Sequence, residues 1–257
     1  MPQTKLFITD LDGTLAGDAA ALNQFKEFLS GFEQPPRLVY VTGRHLHSAL
    51  ELMEHDELTQ PDTLITDIGT AIYTGQTLQE EPAWRQCMQQ HWQPEAILDT
   101  GAKFSGLTLQ DLPNTKRVSF FADDAETVRA FESELIRNDI AHKLIFSADT
   151  FVDVLPRDSG KGNAVNFVLD QIYSPDADIL ISGDTGNDAE MLELGYPSVI
   201  VGNGHPELDY LLDRPTVYKA TRTHAAGIQE GWQHFYVSQQ SAKPNREYVQ
   251  AGDGSES

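Results

Sequence analysis

Residues 6–15 read LFITDLDGTL: a short apolar and β-branched run, then Asp10 and Asp12 two positions apart, then Gly-Thr at a turn. Such a run reads as a buried strand. A strand that ends in two acids carries both carboxylates to the C-terminal edge of a sheet, where open α/β sheets bind ligands. One carboxylate there can serve as nucleophile, and its neighbour can carry a proton. The plainer reading is that the two acids cap the following turn, as Asp before Gly often does.

Outward from this strand the chain alternates. A helical stretch with Leu22, Phe25 and Leu29 is closed by Gly31. RLVYVT (37–42) is a second strand, a helix carries Leu46, Ala49, Leu50 and Met53, and TLIT (63–66) follows Pro61. This rhythm predicts a parallel sheet with crossover helices. From about 80 to 155 it changes: a Trp-containing helix, a polar stretch with Pro113, strand RVSFF (117–121), a helix with Val128, Phe131 and Leu135, then KLIF (143–146) and FVDVL (151–155). That segment reads as an α+β insert, with Trp84, Trp92, Phe120 and Phe121 in its own core. A helix with Ala164, Val165, Val168, Leu169 and Ile172, then DILIS (178–182) and PSVIV (197–201), restore the first rhythm.

Composition narrows the partners. The 39 acidic residues outnumber 18 basic ones, and the net charge of −21 opposes binding to nucleic acid. No apolar run approaches the roughly 18 residues of a membrane span, so no membrane partner is expected. The single cysteine, Cys87, excludes an internal disulfide and a thiolate zinc site, and is expected to be a packing residue. MPQTKLFITD runs straight into a strand without a leader pattern, which predicts a cytoplasmic protein.

Three further stretches carry chemistry. In VTGR (41–44), the Thr42 hydroxyl and nearby amides suit phosphoryl oxygens and Gly43 permits close approach, although the stretch reads equally as a structural turn. Arg44 is placed either to hold a distant part of a substrate or to steady the adjoining helix. His45 and His47 are expected to be surface groups or to support site residues from behind, not to be metal ligands. Lys161 in RDSGKGNAV opens a helix, where a cation opposes the macrodipole and hints at a bound anion, although taken alone the stretch reads more plainly as a solvated lysine just inside a helix. SGDTGND (182–188) gathers Asp184, Asn187 and Asp188 around Gly186. An acid-rich loop after an apolar strand suits a hard cation, and Mg²⁺ fits best because it binds through few carboxylates, waters and phosphate; the plainer reading is an Asx-rich turn. EF-hand spacing, HExxH and paired cysteines are all lacking.

DLDGT (10–14), TGR (42–44), Lys161 and GDTGND (183–188), in this order and at strand ends or helix starts, resemble the haloacid dehalogenase-like phosphohydrolase superfamily. LFITDLDGTLAGD, YVTGRHLHSALEL, LITDIGTAIY, HWQPE, LTLQ, KRVSF and VDVLPRDSGKGNA resemble its sucrose-phosphate phosphatase family. The resemblance implies an α/β fold: a Rossmann-like parallel-sheet core over 1–79 and 156–240, an inserted α+β cap domain over 80–155 for substrate selection, and a polar tail over 241–257.

It also implies roles. Asp10 would be the nucleophile, Asp12 the acid/base, and Thr42 and Lys161 the phosphate holders. Asp184, Asp10 and the Asp12 carbonyl would bind Mg²⁺, with Asp188 in support through water or Lys161. Thr42, Gly43, Arg44, Lys161 and Asn187 would bind substrate from the core, and Gln110, Arg117 and Ser119 from the cap. Where the family pattern leads us to expect lysine in Lys-x-Ser, this chain has Arg117, which keeps the charge but changes the donor fork and reach.

The implied reaction is Mg²⁺-dependent hydrolysis of a small-molecule sugar phosphate, sucrose 6-phosphate, through an aspartyl-phosphate. Mannosylfructose phosphate and glucosylglycerate phosphate are alternative substrates, because phosphate is handled by the core and the sugar by the cap. A noncatalytic sugar-phosphate-binding module, and association with a sugar-phosphate synthase, are further readings.

Overall fold

A computed structural model describes residues 4–173 and 177–238; the tail expected over 241–257 lies outside the described residues. The strands are β1 (Lys5–Asp10), β2 (Arg37–Val41), β3 (Thr63–Thr66), β4 (Ala71–Thr74), β5 (Gln79–Glu80), β6 (Leu107–Leu109), β7 (Val118–Ala122), β8 (Lys143–Ser147), β9 (Phe151–Leu155), β10 (Asp178–Gly183), β11 (Ser198–Ile200) and β12 (Val217–Lys219). Eight of them form one sheet in the order β12-β11-β10-β1-β2-β3-β4-β5, parallel from β12 to β3 and antiparallel at the β4 and β5 edge.

β1 lies in the middle of this sheet with both faces covered, which explains its continuous apolar run. Phe7 points into one core with Leu22 and Phe25 of the helix Ala19–Ser30 and Trp232 of the helix His224–Trp232. Leu6 and Ile8 point into the other, against Ala164, Val165 and Val168 of the helix Lys161–Gln171. The first crossover helix starts where Asp18 accepts hydrogen bonds from the main-chain N–H groups of Ala20 and Ala21, at 2.9 and 3.0 Å.

The second sheet, β6-β7-β9-β8, is antiparallel throughout. Val118, Phe120, Ala122, Val152 and Val154 face Ile97, Val128, Phe131 and Leu135 of its own helices. Strand alternation therefore puts Ser119, Phe121, Phe151 and Asp153 on the opposite face. Phe121 departs from the expected buried position: it is 42% exposed and meets Phe151, also 42% exposed, at 5.7 Å between ring centroids. One residue along the strand, Phe120 is buried at 3%.

Trp84 also departs from expectation. It belongs to the large sheet's core, and its Nε1 donates to the Gly69 carbonyl at 3.2 Å, because the helix Pro82–Gln89 follows edge strand β5 directly. Cys87 on that helix is exposed and is no packing residue, since Trp84 and Met88 fill the buried stripe. Among the described residues no helix is long and apolar enough to cross a membrane.

Candidate active site

From β1 the chain builds outward to β2 and β3 on one side, while β10, β11 and β12 extend the sheet on the other. The switch point therefore lies between the C-terminal ends of β1 and β10, where open sheets form a crevice. Asp10 closes β1, and Asp184 follows β10. Gly13 brings them together: its φ is +78°, and a Cβ there would lie 2.2 Å from Asp184 Oδ2. Thr14 Oγ1 donates to Asp184 Oδ1 at 3.2 Å.

Lys161 enters the crevice from the start of its helix. The ammonium is buried, and donates to Asp10 Oδ1 at 2.7 Å and Asp188 Oδ1 at 2.6 Å. Two carboxylates of the chain itself thus offset the cation that the sequence had suggested would meet a bound anion. Asp188 is fully engaged, since its Oδ2 accepts from the main-chain N–H groups of Asp184 and Thr185 at 2.9 and 3.2 Å. Asp10 Oδ2 and Asp184 Oδ2 make no hydrogen bond among the described residues.

Burial raises the Asp10 carboxyl well above its ordinary value, against the pull of Lys161. Burial first, and the Asp188 charge second, push Asp184 up to about 7. Burial disfavours the Lys161 ammonium, yet Asp10 and Asp188 overrule it and hold its pKa above the ordinary value. One carboxylate oxygen from each of Asp10, Asp184 and Asp188 lies within 4.8 Å of the other two. Three buried carboxylates around one ammonium leave negative charge uncompensated, and hard oxygen donors this close fit a divalent cation.

The Asp12 carboxylate stands outside this cluster. Arg44 holds it through Nε to Oδ2 at 2.8 Å and Nη2 to Oδ1 at 2.7 Å, and reaches Ser48 Oγ at 2.9 Å. Arg44 thus does steady its helix, but its main partner is an acid that sequence reasoning had not paired with it. Thr42 is buried, and its Oγ1 accepts the Arg44 N–H at 3.1 Å. A Cβ on Gly43 would meet only Ile68, at an ordinary 3.6 Å, so no neighbouring atom demands glycine there. His45 Nδ1 accepts from Ser48 N–H at the start of the helix Leu46–His55, and His47 is exposed beside Glu51.

Arg117 reaches the crevice from the second sheet. Its Nη2 donates to the Gly43 carbonyl at 3.0 Å, and its Nη1 to Ser119 Oγ at 3.1 Å and to Asp153. A cleft of about 410 Å³ is lined by Asp10, Asp12, Gly43, Arg44, Asn187 and Arg117. Gln110 and Ser119 line a neighbouring cleft of about 210 Å³, which shares Arg117. Gln110 Nε2 is turned onto the Phe120 carbonyl at 3.1 Å. Sequence reasoning missed Asp153, whose Oδ1 accepts from Ser119 Oγ at 2.5 Å. The sequence offered only a lone acid inside the apolar run FVDVL; its partner Ser119, opposite it on β7, follows from the strand pairing.

Fold and site together define a phosphatase of the haloacid dehalogenase class. Within it, the chain belongs to the family described as sucrose-6F-phosphate phosphohydrolase, whose model matches residues 3–236. It is 33% identical over 243 residues to mannosylfructose-phosphate phosphatase of Agrobacterium fabrum, covering 91% of this chain and 98% of that protein. It is 31% identical over 232 residues to glucosylglycerol-phosphate synthase of Pseudomonas anguilliseptica, covering 90% of this chain but 30% of that protein. The sucrose-phosphatase of Synechocystis, solved in complex with sucrose and phosphate, superposes with a TM-score of 0.83 at 32% identity, covering 91% of this chain and 98% of that one.

Proposed function

We propose that this phosphatase removes the phosphate of sucrose 6-phosphate, giving sucrose and inorganic phosphate. The observation that carries the reading is Asp10. Its Oδ1 is held by Lys161 while its other oxygen carries no hydrogen bond among the described residues, at the floor of a cleft that both sheets line. That free oxygen attacks phosphorus, the bond from phosphorus to the sugar oxygen breaks, and an aspartyl-phosphate forms. Asp12 gives a proton to the departing alkoxide. It then takes one from the water that cleaves the aspartyl-phosphate, so both acids return to their starting state.

Thr42, Gly43, Arg44, Lys161 and Asn187 are assigned to the phosphoryl group and its surroundings, and Arg117, Ser119 and Gln110 to the sugar. Asp10, the Asp12 carbonyl and Asp184 are assigned to Mg²⁺, with Asp188 holding Lys161 and the Asp184 main chain in place. The ion would neutralise the buried charge and polarise a phosphoryl oxygen.

The 33% identity to a mannosylfructose-phosphate phosphatase favours a second substrate, mannosylfructose phosphate, on the same machinery. A synthase partner is a companion proposal, supported by the alignment with part of a glucosylglycerol-phosphate synthase. The deciding experiment measures Mg²⁺-dependent phosphate release from sucrose 6-phosphate, mannosylfructose phosphate, glucosylglycerate phosphate and glucose 6-phosphate, with Asp10→Asn as blank. Preference for sucrose 6-phosphate, lost in the blank, is expected. Preference for another substrate overturns the substrate alone, and full activity of Asp10→Asn overturns the mechanism.

A further inference from the structure

The turn after β3, Asp67-Ile68-Gly69 within LITDIGTAIY, has no part in the chemistry above, yet three parts of the site meet on it. The Asp67 N–H donates to the Arg44 carbonyl at 2.8 Å and the Ile68 N–H to the Thr42 carbonyl at 3.2 Å. A Cβ on Gly69 would lie 2.3 Å from the Gly160 carbonyl oxygen and 2.8 Å from Lys161 N, so the turn abuts the start of the lysine's helix. On its third side, Asp67 Oδ1 faces Arg117 Nε at 3.9 Å.

Two features of Asp67 are costly in themselves. Asp67 and β-branched Ile68 have φ values of +51° and +57°, a conformation that persists only where surrounding contacts impose it. The carboxylate is 1% exposed, and burial raises its pKa against the pull of Arg117. Thr66 Oγ1 donates to Oδ2 at 3.0 Å. Among the described residues Oδ1 has no aligned donor, although Arg117 and Asn114 lie near enough to favour the charged form of the carboxylate. Arg117 Nε is likewise buried without a hydrogen-bond partner among the described residues.

We propose that Asp67 is a positioning residue: with Asp153 it fixes the Arg117 guanidinium between the two sheets, and so sets how this phosphatase grips the uncharged end of its substrate. Two carboxylates flank the guanidinium and more than offset its positive charge. Arg117 therefore meets the cleft as an oriented N–H donor suited to neutral hydroxyls, whereas Lys161 and the loop around Thr42 serve the phosphate. Asp67 itself touches no substrate and acts through Arg117.

This inference rests on the sugar-phosphate reading, and the test separates the two. Asp67→Asn suits the left-handed backbone and removes the charge, and Asp67→Gly does the same with no side chain. With the best sugar phosphate of the panel, either variant is expected to raise KM on the order of tenfold while kcat stays within about twofold. In an Arg117→Lys background, which lacks Nε, Asp67→Asn should add less than about twofold. Equal losses in kcat and KM, or full additivity with Arg117→Lys, overturn the proposal.

A second readout needs no turnover. The ¹⁵N-labelled Arg117 Nε–H signal, assigned by its absence in Arg117→Lys, should exchange slowly in the parent chain, where burial and the Asp67 charge hold it, and should shift and exchange faster in Asp67→Asn. A signal unchanged by Asp67→Asn overturns the proposal. A protected, Asp67-dependent signal in a protein that hydrolyses none of the sugar phosphates upholds the positioning role and overturns the substrate reading.

Discussion

Arg44 grips both carboxylate oxygens of Asp12, at 2.7 and 2.8 Å, while 50% of the Asp12 side chain remains open to solvent. The two distances give a well-formed fork, which fixes where Asp12 points. The exposure keeps the pair weak: ion pairs in water contribute about 0.2–1 kcal/mol. An acid meant to exchange protons with a substrate and with water gains orientation from such a partner without being locked to it.

Arg44→Gln should therefore cost less than about 1 kcal/mol in urea unfolding. The same variant should lower kcat/KM on the order of tenfold, because Asp12 loses its fixed direction. Unchanged kinetics would show that the fork only steadies the helix that begins at Leu46.

Lys161 is the opposite case. Its ammonium is 1% exposed between Asp10 and Asp188, so deleting it strands two largely buried carboxylates. Lys161→Met should lose about 3–5 kcal/mol at pH 7, the cost of breaking a buried pair. The loss should be smaller at pH 5, since burial already raises the Asp10 carboxyl and protonation removes the stranded charge. Denaturant titrations at both pH values check this, and an equal loss at each would mean that the site takes in water.

Asp184 gives a pH dependence with a definite sign. Its carboxyl, ordinarily at 3.8, is pushed up to about 7 by burial and by Asp188. Between those values the folded chain keeps a proton that the unfolded chain has released, so this group's contribution to stability falls as pH rises through the window. A divalent cation competes for the same oxygen and should restore the loss. Saturating Mg²⁺ is expected to raise the melting temperature more at pH 8 than at pH 5.5, and Asp184→Asn should remove the difference. Equal shifts at both pH values would sink this account.

The large sheet was legible because each of its inner strands is a local apolar run and each motif sits at a strand end. β1, β2, β3 and β10 appear as LFIT, RLVYVT, TLIT and DILIS. Edge strands were not: β5 is two residues long and owes its place to pairing with β4. Asp10, Lys161 and Asp184 could be read as a group because their motifs, in this order at strand ends and a helix start, resemble those of a known superfamily. The pairing of Arg44 with Asp12, and of Asp67 and Asp153 with Arg117, joins residues 32 or more apart with no local pattern. Those contacts depend on how the loops and sheets pack, which periodicity does not encode.

Phe120 and Phe121 show the same limit at one step of a strand. Both looked like core residues, but alternation sends Phe120 against Phe131 at 5.4 Å between ring centroids and Phe121 to the open face beside Phe151. Removing the buried ring leaves a cavity, so Phe120→Ala should cost about 3–5 kcal/mol. Phe121→Ala removes a ring that keeps 42% of its surface in water, and should cost less than about 1 kcal/mol. Ser119 and Asp153 share Phe121's face and pair with each other across β7 and β9. On the sugar-binding assignment of Ser119, Phe121→Ala should shift the ratio of kcat/KM between sucrose 6-phosphate and glucose 6-phosphate, while destabilised Phe120→Ala should leave that ratio unmoved in its folded fraction. A ratio that responds to Phe120 and ignores Phe121 would mean that the helix-bearing face of this sheet, not the open one, meets the sugar.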